Sequence, residues 1–362
     1  MSANSGFTIE EIEIPSGPDH PTYAAFAASV AIRNAIEAEA VGSLALAVTT
    51  DELLPIYQDT TYEPHRLWLA WVDGEVVGRG MLSWTVVEES PAVWAYFEVA
   101  PAHRNRGIGT ALMEIIETEA RKLGKTIIQG GGTHTQATGG EQIVPPTGFG
   151  AVNTADPGVR FLHRRGYALE QIARGSTIRL PADANLLARS RAEAEAKAGP
   201  DYRVLTWQGP TPDEWLFDLA RLKEQMSTDE PQAGLEVTPE VWDDARVRKH
   251  DADAAAGGRV MLTTVVEHIP TGRLVAINEL SVPEDPTRAV AQEDTLVVRE
   301  HRGHRLGMLV KAANLQELAR RFPDAPLVYT FNAEENRYML DVNEAVGFVP
   351  TIYDGIWKKS LT

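Results

Sequence analysis

Two stretches of the chain repeat one pattern of residues at a fixed distance, and this repeat constrains the fold more than any other feature. Residues 97–109 read F-E-V-A-P-A-H-R-N-R-G-I-G, and residues 295–307 read T-L-V-V-R-E-H-R-G-H-R-L-G. The two stretches align without a gap at an offset of 198 residues. Farther along each copy, Gly166-Tyr167 is matched by Gly347-Phe348. Because the motifs recur in the same order, the sequence predicts two copies of one fold.

Each repeat has the pattern of a strand, a cationic glycine loop and the start of a helix. In the first copy, Trp94 to Val99 is apolar and aromatic, and apolar residues recur at helical spacing after Thr110. The loop, Arg104 to Gly109, therefore lies at a helix N-terminus, where free N–H groups and the helix dipole favour an anion. Its glycines allow a phosphate to approach the main chain closely. A plain strand-to-helix turn is the alternative interpretation, and the spacing matches neither the dinucleotide fingerprint nor the P-loop.

The loop spacing is arginine, two residues, glycine, one residue and glycine, with V-x-P-x-x-R running from Val99 to Arg104. This pattern resembles the acyl-CoA pyrophosphate loop of the GNAT N-acetyltransferase superfamily. The resemblance covers nearly the whole chain as a tandem pair. It implies an α/β fold class, with two tandem GNAT folds that each contain a mixed (α+β), splayed sheet flanked by helices. It also implies acetyl-CoA as cosubstrate, bound in the gap where strands four and five part.

The resemblance implies cofactor-binding residues in both loops. In the first copy these are Val99, Arg104, Asn105, Arg106, Gly107, Ile108, Gly109 and Thr110. In the second copy they are Val297, Val298, Arg302, Gly303, His304, Arg305, Leu306, Gly307 and Met308. Arg305 stands where the first glycine of the pattern should be. Arginine keeps its backbone N–H, so we expect this replacement to be tolerable if the loop has an ordinary, negative φ there.

The family's second motif, N-x-x-A-x-x-x-Y-x-x-x-G-F/Y, is incomplete in both copies. At its three side-chain positions the first copy has Ala155, Gly158 and Leu162, and the second has Asn336, Met339 and Asn343. The second copy also has Asn332 at a strand end. We therefore expect catalysis in the C-terminal half, with Asn332 and Asn336 on the cofactor and Asn343 near the leaving sulfur. Helix capping is the alternative role for such asparagines.

The family reaction is direct attack of a neutral amine on the thioester carbonyl. The resemblance implies that a strand N–H, that of Val297 or Val298, holds the carbonyl oxygen. A base must remove the amine proton, and the candidates are carboxylates near strand four. Glu293 and Asp294 are expected just before this strand in the second copy, and Glu98 within it in the first; a solvated surface role is the alternative. The missing motif tyrosine leaves the acid unassigned, with Tyr338 and Tyr353 as replacements.

Composition limits the partners. Lys and Arg number 34 against 51 Asp and Glu, a net charge of −17, which argues against nucleic acid and favours a small, cationic amine. The chain has no cysteine, and its nine histidines lack paired metal-ligand spacing, so we expect no metal. Without an apolar run of about 20 residues or a leader pattern at the N-terminus, we expect a cytoplasmic protein and no membrane partner. The oligomeric state is left open.

The repeat and the composition suggest a division into domains. We expect an N-terminal GNAT domain at 1–180, degenerate in catalysis, and a C-terminal GNAT domain at 201–362. Residues 181–200, rich in Ala, Glu and Arg, are expected to form a helical linker. The glycine-rich segment 130–150 is either a substrate lid or a variable surface loop. The expected function is N-acetylation of a small amine; the alternative is a catalytically silent acyl-CoA-binding sensor or scaffold.

Overall fold

The computed structural model describes residues 6–134 and 136–362. Residues 1–5, considered above for a leader, and Thr135 of the glycine-rich segment lie outside the described residues. The chain forms two compact units. Unit 1 comprises Met1–Ala173, Gln232–Thr238 and Ile352–Thr362, and unit 2 comprises Arg174–Pro231 and Pro239–Thr351. Each unit is thus discontinuous in sequence.

Among the described residues, unit 1 contains four helices, seven complete strands and parts of two more. In chain order these elements are β1 (Thr8–Ile12), α1 (Tyr23–Val41), α2 (Thr50–Tyr57), β2 (His65–Val72), β3 (Glu75–Ser83), β4 (Ala92–Val99), α3 (Ile108–Lys122), β5 (Ile127–His134), β6 (Gln142–Ile143), β7 (Val152–Asn153), α4 (Pro157–Arg164) and the first half of β8 (Ala168–Arg179). The eleven C-terminal residues of unit 1 contain most of the last strand, β14 (Val349–Ser360). A short 3₁₀ turn, Pro101–His103, precedes the loop of the first repeat.

The sheet of unit 1 has the order β1-β2-β3-β4-β5-β14. Only β4 and β5 are parallel, and they pair at Ala92–Ile127, Val93–Ile128 and Trp94–Gln129. The predicted hairpin around Asp73-Gly74 joins β2 to β3, and both turn residues have positive φ. One core lies against α3, with Leu112 and Ile116 fully buried, and another lies against α1 and α2.

β5 extends farther than the sequence indicated, because it continues through three glycines that we expected to begin an irregular loop. Eight residues of β14 pair antiparallel with β5, from Tyr353–His134 to Ser360–Ile127. A Cβ on Gly130 would lie 2.0 Å from the carbonyl oxygen of Ala95 on β4, so the close approach of these strands requires glycine.

Unit 2 contains the remaining elements. They are the second half of β8, α5 (Ala184–Ala198), β9 (Tyr202–Gln208), α6 (Leu216–Asp229), α7 (Asp244–Ala256), β10 (Arg259–His268), β11 (Arg273–Pro283), β12 (Val290–Val297), α8 (Leu306–Arg321), β13 (Leu327–Ala333) and α9 (Arg337–Ala345). The predicted second hairpin joins β10 to β11. The five strands have the order β9-β10-β11-β12-β13, and only β12 and β13 are parallel.

Residues 181–200, expected to be a helical linker, are helical from Ala184 to Ala198, but this helix packs into a core. Asp183 caps α5, and its carboxylate accepts hydrogen bonds from the N–H groups of the first turn. Leu187, Ala194 and Ala198 belong to the core of unit 2, where α5 packs on α8. The Ala-rich composition reflects close helix packing, not a solvated spacer. Because α5 covers it, α8 is buried around most of its circumference.

Candidate active site

The two repeat loops have the same backbone conformation. The residue after each loop arginine has a positive φ, +60° at Asn105 and +87° at Gly303. Two positions farther on, φ is +89° at Gly107 and +57° at Arg305. The condition under which we expected Arg305 to be tolerable, an ordinary φ, is therefore not met. A left-handed conformation costs a non-glycine residue about 1–2 kcal/mol, so unit 2 keeps the loop geometry at an energetic cost.

The loop arginines hold the loops in place through their side chains. Arg104 donates to the Val99 carbonyl at 3.0 Å and pairs with Glu39 on α1 at 2.6 Å. In unit 2, Arg302 donates to the Val297 carbonyl at 3.1 Å and pairs with Asp229 at the end of α6. Both guanidinium groups are thus engaged within the protein. The main-chain N–H groups of the loops are therefore better candidates for holding a phosphate than these arginine side chains.

The N–H groups at the start of α3 and α8 face the loops. The first backbone hydrogen bond within α3 runs from the N–H of Ala111 to the Gly107 carbonyl. The first within α8 runs from the N–H of Leu309 to the Arg305 carbonyl, and both are 3.0 Å long. The preceding N–H groups, those of residues 108–110 and 306–308, have no partner within the helix. In the part of the chain that the structure describes, no side chain caps either helix at its N-cap residue. These N–H groups form the cradle that an anion would fill.

The side chains of the predicted loop residues have different surroundings. Ile108, Leu306 and Met308 are buried, so they can reach a ligand only through the main chain. Other side chains make contacts inside the protein: Arg106 donates to the Ala102 carbonyl, Thr110 accepts from Arg165, Arg305 pairs with Glu193, and His304 packs on Tyr202. The loops therefore offer a ligand mostly backbone donors.

One of the two predicted carbonyl-binding N–H groups is already bonded. The N–H of Val298 donates to Val275 on β11 at 2.9 Å, so its assignment as an oxyanion donor is wrong. Because N–H groups along a strand point alternately to its two sides, the N–H of Val297 points away from β11. In unit 1, Ala100 likewise donates to Val77 at 2.9 Å, which leaves Val99 in the corresponding orientation.

A pocket of about 240 Å³ opens in unit 2 where β12 and β13 separate. The two strands pair only at Val290–Val328 and Ala291–Tyr329, and the pocket begins there. Its lining consists of Met226, Glu230, Ala291, Gln292, Glu293, Asp294, Thr295, Tyr329, Phe331 and Asn332. The pocket therefore brings together three carboxylates, two aromatic rings and two amides.

A β-bulge explains why two consecutive acidic residues face this pocket. Leu280 pairs with Gln292 and Asn278 pairs with Thr295, so Glu279 on β11 opposes both Glu293 and Asp294 on β12. The two acidic residues lie within the strand, not before it as expected. Without the bulge, a strand period of two would send one of them to the opposite face. The register between β3 and β4 in unit 1 runs from Gly78–Val99 to Ser83–Trp94 without a shift.

The pocket carboxylates differ in their protonation chemistry. Burial opposes ionisation of Asp294, but the Lys223 ammonium, 2.7 Å away, lowers the pKa of this carboxyl. Lys223 also pairs with the buried Glu279. Loss of hydration among the pocket atoms and the charge of Asp294 raise the pKa of Glu293, although the side chains of Glu293 and Glu230 are both exposed. The same two causes raise the pKa of Glu230 to about 7, which suits a proton acceptor at neutral pH.

Glu230 is the functional candidate that sequence reasoning missed. It follows the last residue of α6, and the only local signal is an acidic pair before Pro231. Its neighbour Asp229 pairs with Arg302 as Glu39 pairs with Arg104, so the residue that corresponds to Glu230 in unit 1 is Ala40. The base candidate is therefore specific to unit 2.

The predicted asparagines form a network within unit 2. Asn336 caps α9 and accepts a hydrogen bond from the N–H of Met339 at 3.3 Å, so the structure gives it the capping role. Asn343 is 1% exposed and donates to Asn332 at 2.8 Å. Its oxygen accepts a hydrogen bond from Lys311. Of the three asparagines, Asn332 lines the pocket.

The two tyrosines considered as acids are not at the pocket. Tyr338 is 91% exposed on the surface of α9. Tyr353 belongs to unit 1, where it pairs with His134 and packs against the core. Neither tyrosine fits the role of acid in the second copy, because Tyr338 is exposed to solvent and Tyr353 lies on the strand that completes unit 1.

Glu98, the carboxylate candidate of unit 1, is held by a buried arginine. Arg79 on β3 is 3% exposed, lies 2.7 Å from the Glu98 carboxylate and donates to the Tyr57 hydroxyl at 2.8 Å. Glu98 therefore neutralises a buried cation, and a role as base would require releasing this contact.

The described residues contain neither a cluster of metal ligands nor a helix suited to span a membrane. Among residues 6–134 and 136–362, no group of three or more histidine, cysteine, aspartate or glutamate side chains is arranged to hold a metal ion. Within the same ranges, no helix has both the length and the apolar character that a membrane span requires.

Comparisons with known proteins match this geometry. Residues 34–137 match the family described as Acetyltransferase (GNAT) family. A tandem GNAT protein from the clavulanic acid biosynthesis pathway is 24% identical, aligns over 98% of this chain and 99% of its own, and gives a TM-score of 0.72. A GCN5-related N-acetyltransferase from Sphaerobacter thermophilus is 15% identical, aligns over 99% of this chain and 97% of its own, and gives a TM-score of 0.61. No curated protein sequence matches the chain. The structural matches confirm the predicted tandem fold.

Proposed function

The chain contains a GNAT acetyltransferase domain and has the tandem GNAT fold, and from this premise we propose that it transfers the acetyl group of acetyl-CoA to a small, cationic amine. The family implies acyl-CoA-dependent acetyl transfer. The carboxylate-lined pocket of unit 2 supports the choice of a cationic acceptor and of the C-terminal half as the catalytic one. Asp294 is stabilised as an anion by Lys223, so the pocket attracts an ammonium group.

The three pocket carboxylates and one strand N–H carry out the proposed reaction. An amine enters as its ammonium form and is held by Asp294 and Glu293. Glu230 accepts one proton, which frees the nitrogen lone pair for attack on the thioester carbonyl. The N–H of Val297 donates to the carbonyl oxygen as negative charge develops there. The C–N bond forms, the C–S bond breaks, and the excess proton that the nitrogen still carries passes to the departing thiolate, which leaves as the CoA thiol.

The open N–H groups at the start of α8 fit the pyrophosphate of acetyl-CoA, which supplies the activated acyl group when bound. The corresponding N–H groups of α3 support a second acyl-CoA site in unit 1. Ala40 stands where unit 2 has Glu230, and β4 has no bulge against β3. We therefore assign unit 1 a binding role and unit 2 the catalysis.

Two glycine variants, at different loop positions with similar φ, test which unit is catalytic. Gly107 and Gly303 have φ of +89° and +87°, and neither has close neighbours that a side chain would strike. Valine at either position therefore disturbs only the loop conformation. Gly303→Val should abolish thiol release with a panel of amines, and Gly107→Val should leave turnover intact while calorimetry shows one fewer CoA bound per chain.

The opposite pattern, with turnover lost only in Gly107→Val, would move catalysis to unit 1. Acyl-CoA binding without thiol release for any amine would favour the alternative function, an acyl-CoA-binding sensor or scaffold. The strained conformation of Arg305 in the loop of unit 2 is the observation that favours this alternative.

A further inference from the structure

We propose that Lys311, Asn343 and Asn332 form a polarised hydrogen-bond chain that aims an amide N–H of Asn332 at the unit 2 pocket to stabilise the departing thiolate. Lys311 is a positioning residue in this scheme, since it acts through the two asparagines. The inference rests on the proposed function. It assigns a group that stabilises the leaving sulfur, a role that the missing motif tyrosine leaves open.

The chain of hydrogen bonds runs from the interior of unit 2 to the pocket wall. Lys311 on α8 is fully buried, and its ammonium donates to the Asn343 oxygen on α9. The Asn343 amide donates to the Asn332 oxygen on β13 at 2.8 Å, and Asn332 lines the pocket. The Asn332 oxygen is thus already used, and its NH₂ group is the part left for a pocket ligand.

The lysine determines the orientation of both amides. An ammonium group only donates, so the Asn343 oxygen must face it and the Asn343 NH₂ group must face Asn332. Asn332 can then accept only through its oxygen. Each bond in such a chain polarises the next, so a positive charge at the inner end strengthens the outermost N–H as a donor.

Among residues 6–134 and 136–362, no carboxylate forms an ion pair with Lys311. Besides Asn343, the ammonium approaches the Met339 sulfur at 3.6 Å and lies 5.8 Å from the centre of the Phe348 ring. The charged groups on the neighbouring elements pair elsewhere: Glu193 with Arg305, Glu267 with Arg203, Glu279 and Asp294 with Lys223, Asp341 with Arg337, and Glu344 with Arg174. Burial alone lowers the pKa of Lys311 to about 7.

Unit 1 shows that the fold does not need this chain. At the offset of 198 residues, Lys311 corresponds to Met113, which is 1% exposed. Asn343 corresponds to Leu162 in the motif count. The parallel pairs at the start of β5 and β13 align Asn332 with Gly131. All three positions are thus apolar in unit 1, which also has Ala40 in place of Glu230. Because the polar chain and the pocket carboxylate occur together in unit 2, we connect the chain with the pocket and not with packing.

Lys311→Met tests the proposal, because methionine is the residue that unit 1 has at this place. Wild-type kcat should rise with pH as Glu230 loses its proton and fall again as Lys311 loses its charge. Lys311→Met should lower kcat about tenfold at pH 6.5, remove the descending limb and leave KM for the amine unchanged. Glu230→Gln should remove only the ascending limb. Lys122→Met, at an exposed site on α3, is the matched control.

If Lys311→Met does not fold, Asn332→Ala carries the test, since it removes the donor and leaves the lysine in place. It should also lower kcat and abolish the descending limb. A descending limb that survives both substitutions would overturn the inference while the proposed function stands. A wild-type protein that acetylates no amine would overturn the proposed function and this inference with it.

Discussion

A buried lysine without a carboxylate partner destabilises a folded protein, and Lys311 is such a residue. In the unfolded chain its pKa is near 10.5, and burial lowers it to about 7 in the fold. Between these two values the unfolded state binds more protons than the folded state. The free energy of unfolding therefore rises with pH across this range, and the full penalty is present below pH 7.

Lys311→Met removes this penalty and should stabilise the protein. Because the penalty is largest where the lysine is charged in both states, the melting temperature should increase more at pH 6 than at pH 10. Thermal denaturation of wild type and variant at the two pH values measures the difference. Equal increases in melting temperature at both pH values would show that the charge of Lys311 does not cause the destabilisation.

At the residue scale, sequence reasoning found positions but not partners. The asparagines were singled out by motif spacing, yet Asn336 caps α9 and Asn343 is enclosed beside Lys311. A lysine in the middle of a helix indicates a solvated face, because only the covering helix α5 makes α8 an interior element. Glu230 lies far in sequence from the strand whose pocket it lines. Such partnerships arise from tertiary contacts that no local pattern encodes.

At the scale of elements, the strand-loop-helix unit of each repeat was predictable, because its glycines and apolar periodicity are local. The bulge in β12 was not predictable, since it is a mismatch of register with β11 and depends on both strands. Its consequence is chemical: it brings Glu293 and Asp294 to one face. The extension of β5 through its glycines was likewise hidden, because the strand that pairs with it is more than 200 residues away.

The loop of unit 2 offers a test of the strain at Arg305. Glycine has no penalty at a φ of +57°, so Arg305→Gly should raise the free energy of unfolding by about 1 kcal/mol, with only a small loss from the exposed pair with Glu193. Urea denaturation measures the change. Affinity for CoA should stay within about twofold, because the backbone N–H groups remain. A large fall in affinity would instead assign the Arg305 side chain a direct role in binding.

At the scale of the whole molecule, the sequence predicted two copies of one fold, and the structural comparisons confirm the tandem arrangement. The predicted contiguous segments differ from the compact units, which take residues 232–238 and 352–362 into unit 1. Gln129, fully buried, binds the first of these segments through the Glu236 main chain at 2.5 and 3.1 Å. Trp357 of the second is 1% exposed in the core.

A fragment of residues 1–180 should therefore fail to fold on its own. It lacks the buried Trp357, whose loss costs about 3–5 kcal/mol, and it leaves the edge of β5 unpaired. Circular dichroism and size-exclusion chromatography should reveal an unfolded or aggregated fragment. Addition of a peptide of residues 349–362 should increase the folded fraction. A fragment that melts cooperatively without the peptide would contradict the assignment of β14 to unit 1.

The place of β14 also has a consequence for biosynthesis. A ribosome completes β5 about 226 residues before it completes β14, so throughout the synthesis of unit 2 the glycine-rich edge of β5 has no strand beside it. Translation proceeds at roughly 5–20 residues per second, which leaves this edge open for on the order of ten seconds or more. During that interval the nascent chain is a substrate for chaperones. Unit 1, whose synthesis begins first, is therefore the last unit to be completed.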